Sequence, residues 1–295
     1  MYAQFFGTFL LSHNAVTKEQ LLHALSKKTS QHMKLGTLAI MKGYMTASEV
    51  DNVIISQTHN DCRFGDLAIR EGYLTEEQVD ELVKTQYPDF LLLGQTLVDE
   101  GYITNAQLET LISDYESENE LYDLDYSNEK QDDLDRILAN FFHTSDLPAD
   151  EYNASYMRLL FNDLTRFIGD DFTPLCFNPC KEYPVNYCVS QTINGESSSK
   201  IYLDMPETTC ISFASRYVNE EFTEFDEYVQ ASLEDFLNLH NGLYNVNISN
   251  TLGKELTLEA PEVVSDELID LSDTSYLLQI MYPFGVVNFI FELQR

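Results

Sequence analysis

A chain of 295 residues with 44% hydrophobic content has enough apolar surface to build the cores of two ordinary domains. Its 49 acidic residues against 17 basic ones leave a formal charge of −32. That balance excludes wrapping of nucleic acid, where cations must replace phosphate counterions, and it opposes binding to anionic membranes.

The stretch from Met1 to Val16 has no basic residue apart from His13, so it lacks the positive start of a secretory signal. No apolar run approaches the length of a membrane-spanning helix. The cysteines are Cys62, Cys176, Cys180, Cys188 and Cys210. Their odd number and scattered spacing do not form a disulfide framework. Reduced, mostly buried thiols in a cytoplasm are expected. Cys176 and Cys180 lack a second close pair or a histidine at zinc-finger spacing, so no metal site is expected.

Four segments align from Phe6, Leu35, Phe64 and Leu93, and their glycines Gly7, Gly36, Gly65 and Gly94 recur every 29 residues. A constant period is the mark of stacked supersecondary units. In each copy a short apolar segment closes at Asn14, Gly43, Gly72 or Gly101, residue types that tolerate the left-handed end of a helix. Thr17, Thr46, Thr75 and Thr104 follow, each with Gln or Glu three residues on, at Gln20, Glu49, Gln78 and Gln107. This is a capping box at the start of a second helix. Val50, Val53 and Ile54, like Leu108, Leu111 and Ile112, then continue at helical spacing. Residues 1–115 are therefore expected to form an all-α array of four helical-hairpin repeats.

The acidic stretch from Ser113 to Asp133 is nearly free of aliphatic residues and is expected to be a solvated linker. With a short helix over Asp132 to Phe142, it fills residues 116–150. From 151 to 295 the pattern alternates. Helices are expected over Tyr156–Ile168, Pro206–Tyr217 and Glu227–Tyr244. Strands are expected over Tyr187–Val189, Lys200–Asp204, Leu277–Met281 and Val286–Phe291. Helices segregated from hairpin strands give an α+β chain, its second domain having an antiparallel-rich sheet.

Two resemblances add function. In the repeats, a basic residue, an apolar residue and Gly, closed later by Gln, resemble the N-terminal domain of type II secretion and type IV pilus ATPases. In that family two adjacent motifs each hold half of a cyclic di-GMP molecule. The resemblance implies ligand contacts from Lys34, Leu35, Gly36 and Gln57 in the second copy, and from Arg63, Phe64, Gly65 and Gln86 in the third. The first copy has Phe5 and Lys28 at the polar ends and the fourth has Leu92 and Tyr115, so these two are expected to be caps. Lys34 stands where the family has Arg and lacks its forked donor set.

In the second domain, Asp235, Asn238, Gly242, Gly253 and Pro261 resemble the Glu-x-x-Asn motif, the two glycines and the strand-ending Pro of the CheX/CheC/FliY chemotaxis phosphatases. The resemblance implies a CheX-like fold and a phosphorylated response-regulator receiver domain as partner. Mg²⁺ would be supplied by that receiver, and this chain itself would bind no metal. Asn238 would orient the attacking water and Asp235 would pair with a cation of the partner. An amide suits this task because it both accepts and donates, and residues three apart share a helix face. Asp235 is one methylene shorter than the family's Glu, a reach deficit of about 1 Å, and a misplacement of that size can cost about 10²-fold in rate. Glu234, four residues before Asn238, is a nearby substitute. The earlier helix holds Asn162 but has Leu159 in place of a carboxylate, so one site is expected.

The six histidines are dispersed, and no P-loop, GxSxG or GxGxxG occurs. His240, close to Asn238, could line the same surface, though a single exposed His is usually incidental. The sequence thus points to a cytoplasmic signalling protein that is a phosphatase or binding partner of a phosphorylated response regulator, with cyclic di-GMP as a candidate regulator. It leaves a homodimer open. The alternative is a non-enzymatic adaptor or cyclic di-GMP sensor docking a motility or secretion component.

Overall fold

The computed structural model describes residues 2–28, 32–85, 87, 89–118, 138–142, 146–148, 150–195, 198–265 and 267–294. The chain divides into two compact units, one running to Arg136 and one from Ile137 to the C-terminus. Among the described residues no helix is long and apolar enough to cross a membrane.

The first unit, as described, is entirely helical: α1 (Tyr2–Ser12), α2 (Lys18–Lys28), α3 (Leu35–Met41), α4 (Ala47–Gln57), α5 (Phe64–Arg70), α6 (Glu76–Lys84), α7 (Asp89–Asp99) and α8 (Asn105–Glu118). The turns within the four segments pass through positive φ, at Asn14 (54°), Gly43 (66°), Gly72 (81°) and Gly101 (72°), where Gly and Asn are least strained. The reciprocal cap forms at all four threonines. Thr17 N–H donates to Gln20 Oε1 at 2.9 Å, and Thr104 N–H to Gln107 Oε1 at 2.8 Å. Thr46 and Thr75 close the same box with Glu49 and Gln78.

The recurring glycines are explained by packing. A Cβ on Gly36 would sit 2.8 Å from Val50 Cγ1, and one on Gly94 would sit 2.5 Å from Leu108 Cδ1. A side chain at either position would force the facing Val50 or Leu108 side chain on the following helix to shift. α8 continues through Glu118, so the first residues assigned to the linker are helical. Residues 119–137, which hold most of that linker and the start of the expected short helix, lie outside the described residues. Residues 138–142 are helical.

The packing order corrects the expected caps. The fourth segment is internal. Phe6 of α1 lies 5.0 Å from Phe90 and 5.1 Å from Tyr115, ring centre to ring centre. Lys27 of α2 pairs with Glu100 at 2.8 Å. On its other side α8 packs against α3 and α4, with Asn105 donating to Asp51 at 2.6 Å. The apolar residues that leave the fourth copy without polar ends serve instead to bury it between the first and second.

The second unit is α+β. It contains α9 (Glu151–Asp163, followed by a π-helical turn Leu164–Ile168), β1 (Thr173–Pro174), β2 (Asn178–Pro179), β3 (Glu182–Pro184), β4 (Tyr187–Asn194) and β5 (Ser198–Met205). After these come α10 (Glu207–Val218), α11 (Glu227–Leu252), β6 (Thr257–Leu258), β7 (Glu262–Ser265), β8 (Leu268–Asp270), β9 (Ser275–Tyr282) and β10 (Gly285–Gln294). The main sheet runs β1-β9-β10-β5-β4-β6, with β2 on β9 and β7 on β4, and β3 pairs with β8. Every pairing is antiparallel.

Alternation divides the two faces of the sheet. Register places Val189 opposite Leu203, Leu203 opposite Phe289 and Phe289 opposite Leu278. This buried row lies on the face that meets the helices, where α11 packs on β4 and α10 on β10. Cys188, Tyr202 and Ile290 point the other way, into a smaller core closed by Tyr183, Val264, Ile269 and Leu277.

The four expected strands are present and longer, whereas β1, β2, β3, β6, β7 and β8, each of four residues or fewer, carry no period that could be read. α9 begins at Glu151 under an Asp150 cap. α11 runs to Leu252, past the expected end at Tyr244, so Gly242 is inside the helix and does not terminate it. Pro261 immediately precedes β7 and does not end a strand. The cysteines are free, but only Cys188 and Cys210 are buried, fewer than expected.

Candidate functional site

α11 positions the site. Asp226 caps it, its Oδ1 accepting from Tyr228 N–H and Val229 N–H at 3.0 Å each. Phe236, Leu237 and His240 are buried toward the unit's interior, while Asp235 and Asn238 are exposed one helical turn apart. The two residues therefore stand on one outward face, as their spacing implies.

Neither side chain is loose. Tyr217, near the end of α10, donates its hydroxyl to Asp235 Oδ2 at 2.6 Å. Burial first, then the Asp235 carboxylate beside it, raises the Tyr217 phenol well above its ordinary range, so it remains a donor. Asn238 Oδ1 accepts from Gln191 Nε2 at 2.8 Å. Gln191 comes from β4 and is buried on the helix-facing side. It also donates to the Glu259 carbonyl at 2.8 Å and accepts from Asn241 Nδ2 at 2.8 Å. Asn241 Oδ1 in turn accepts from the Tyr156 hydroxyl at 2.8 Å. Sequence reasoning missed all four supports, Tyr217, Gln191, Asn241 and Tyr156.

Glu234 lies near Tyr187 of β4. Burial and then the Glu234 charge push that phenol up to about 12. Tyr217, Val218, Glu220, Phe222, Tyr228 and Asp235 line an open groove of about 520 Å³ beside the site. Along α11 the exposed face carries Tyr228, Asp235, Asn238 and Val246.

Gly242 is one turn beyond Asn238, and a Cβ built there meets nothing within 4 Å. Mid-helix glycine costs about 0.5–1 kcal/mol relative to alanine. Gly242→Ala is therefore expected to stabilise the α/β unit by that amount, read as a shift of its urea midpoint.

His240 is not the exposed residue that was expected. It is 1% exposed, and its Nδ1 lies 2.7 Å from Asp163 Oδ2. Burial lowers its pKa, and the Asp163 hydrogen bond opposes that shift. A neutral imidazole thus donates from Nδ1, with Nε2 buried and unpartnered among the described residues. As pH falls through the ordinary histidine range, about 6.5, the unfolded chain takes up the proton first. The stability contributed by neutral His240 is full above that pH and is lost below it. Urea midpoints at pH 7.5 and 5.5 should fall more for wild type than for His240→Asn; equal falls would refute this assignment.

In the helical unit, Leu35 and Phe64 each pack on the other segment's glycine. A Cβ on Gly65 would be 3.1 Å from Leu35 Cδ2, and one on Gly36 would be 3.1 Å from Phe64 Cζ. Lys34, Leu35, Gly36, Gln57 and Phe64 line a cavity of about 340 Å³ together with Gln95, Asp99 and Asn105. Lys34 Nζ is 2.5 Å from Asp99 Oδ1, and Gln57 donates to the Cys62 carbonyl at 2.9 Å. Arg63 is exposed and does not line the cavity, nor does Gly65. Gln86 lies outside the described residues. Among the described residues no group of acidic, histidine or cysteine side chains could hold a metal ion.

Comparison with curated proteins gives no match. Three of the solved structures that are similar, all at low identity, are the following. CheX from Desulfovibrio desulfuricans is 12% identical, covering 49% of this chain and 100% of its own, with a TM-score of 0.43. The CheX–CheY–BeF₃–Mg²⁺ complex from Borrelia burgdorferi is 15% identical, covering 49% and 99%, with a TM-score of 0.40. Thermotoga maritima FliY is 14% identical, covering 46% and 83%, with a TM-score of 0.32. With Asp235 and Asn238 inside the matched span, the C-terminal region of the chain, residues 187–285, matches the family described as Chemotaxis phosphatase CheX.

Proposed function

We propose that the α/β unit binds a phosphorylated response-regulator receiver domain and accelerates hydrolysis of its aspartyl phosphate. The observation that carries this reading is the pair Asp235 and Asn238, exposed on one face of α11 with the Asn238 amide held from beneath. The CheX family match over the same residues supports it. An acyl phosphate beside Mg²⁺ in the receiver needs little more than a water placed in line with phosphorus. Asn238 keeps two N–H donors and one carbonyl lone pair for that water and the phosphoryl oxygens. Asp235 pairs with a cation of the receiver. Its carboxylate is already oriented by Tyr217, which spares part of the ordering cost on docking. Mg²⁺ comes with the receiver. The test is phosphate release from a phosphorylated receiver with and without the full chain.

The second reading is that the repeats of the helical unit form a sensor for cyclic di-GMP. The cavity at Lys34, Leu35, Gly36, Gln57 and Phe64 favours it. A phosphate entering there must draw Lys34, the cation that lines the cavity, away from Asp99. Lys34→Ala is expected to weaken binding by more than about 1 kcal/mol, measured by calorimetry on the full chain. Absence of heat at about 100 μM ligand rejects the sensor, since a signalling site needs a Kd nearer 1 μM, or about 8 kcal/mol.

A further inference from the structure

We propose that Gln191, buried beneath α11, is a positioning residue that fixes which edge of the Asn238 amide faces the partner. The proposal rests on the phosphatase reading and assigns a residue outside the exposed pair.

The Glu259 main-chain carbonyl can only accept. Gln191 meets it at 2.8 Å, so that end of the Gln191 amide must be the NH₂ group. The same Nε2 lies 2.8 Å from Asn238, so Asn238 must turn its oxygen inward. The opposite end of Gln191 is then an oxygen, and Asn241 Nδ2 satisfies it at 2.8 Å. The Gln191 oxygen thereby fixes Asn241, whose Oδ1 accepts from the Tyr156 hydroxyl at 2.8 Å. Each amide in the chain has one allowed orientation, and the last is exposed. Asn238 therefore presents its N–H donors outward, the polarity suited to phosphoryl oxygens, without having to select between two rotamers. A free surface asparagine would populate both amide orientations.

Gln191→Glu separates this role from plain packing. A carboxylate still accepts from Asn241 but repels both the Glu259 carbonyl, at a cost in stability, and the Asn238 oxygen, so the Asn238 amide must reverse. With a receiver that wild type dephosphorylates, turnover at saturation should fall by at least about tenfold. Affinity for the beryllofluoride–Mg²⁺ form of that receiver should stay within about twofold. A lowered melting temperature with unchanged turnover would overturn the proposal.

Gln191→Met supplies a readout that needs no substrate. NMR relaxation of the Asn238 side-chain NH₂ should report an ordered group in wild type and a mobile one in the variant. Equal order in both also overturns the proposal. Should Gln191→Met fail to fold, the Gln191→Glu kinetics decide alone. If wild type is inactive on every receiver tried, the phosphatase reading falls and takes the catalytic consequence with it. The relaxation comparison still decides whether Gln191 orders Asn238.

Discussion

Asn238→Ala is expected to leave the chain folded and to remove its acceleration of receiver dephosphorylation by at least about tenfold, the lower range for loss of a positioned polar group. The two halves of that expectation have separate causes. Asn238 is exposed, and truncating it does not orphan the buried Gln191 amide, because Nε2 keeps the Glu259 carbonyl and Oε1 keeps Asn241. The stability cost should therefore stay near 1 kcal/mol or below. The rate cost follows from loss of the group that orders the water. Thermal melts with phosphate-release kinetics on the same preparation check both halves. A large loss of stability would mean that the residue serves the fold.

Phe236→Ala is expected to have the largest effect on stability. Phe236 is 1% exposed and meets Phe213 and Tyr217 edge-on, at 5.0 and 5.5 Å between ring centres. Truncating a buried Phe removes its transfer free energy and leaves a cavity, together about 3–5 kcal/mol. That is a large part of the 5–15 kcal/mol that usually holds a domain. The loss falls at the seam between α10 and α11, and Tyr217 is the residue that orients Asp235. The variant should therefore also bind the receiver more weakly in whatever fraction remains folded. Urea unfolding followed by the α/β unit's signal checks the first claim. A cost under about 1 kcal/mol would show that the seam relaxes around the gap.

How much of this was legible in the sequence depended on distance along the chain. Local signals carried well. The Thr boxes at Thr46 and Thr75 and the left-handed turns at Gly43 and Gly72 formed where their spacing placed them, because capping is settled within one turn. The spacing of Asp235 and Asn238 carried through for the same reason. Non-local pairings did not. Nothing in the period of 29 residues indicates that Phe6 reaches Phe90 or that the fourth segment packs between the first and second. His240 looked exposed because its partner, Asp163, is 77 residues away. Gln191 and Asn241 meet across 50 residues, and only the sheet register shows that Gln191 points toward α11. Nothing local at Gly242 marks where the helix ends, since glycine occurs both at helix ends and within helices. Helix α11 runs through it on the strength of the buried Tyr244 and Ile248 beyond.

The central claim is that the exposed pair on α11 acts on a phosphorylated receiver domain. The most direct measurement is phosphate release from receivers charged with acetyl phosphate and Mg²⁺, with wild type and Asn238→Ala added in parallel at equal concentration. Wild type is expected to shorten the lifetime of the acyl phosphate on its cognate receiver by at least about tenfold relative to Asn238→Ala. Equal decay with wild type, with Asn238→Ala and with no added protein, on every receiver tested, would contradict it.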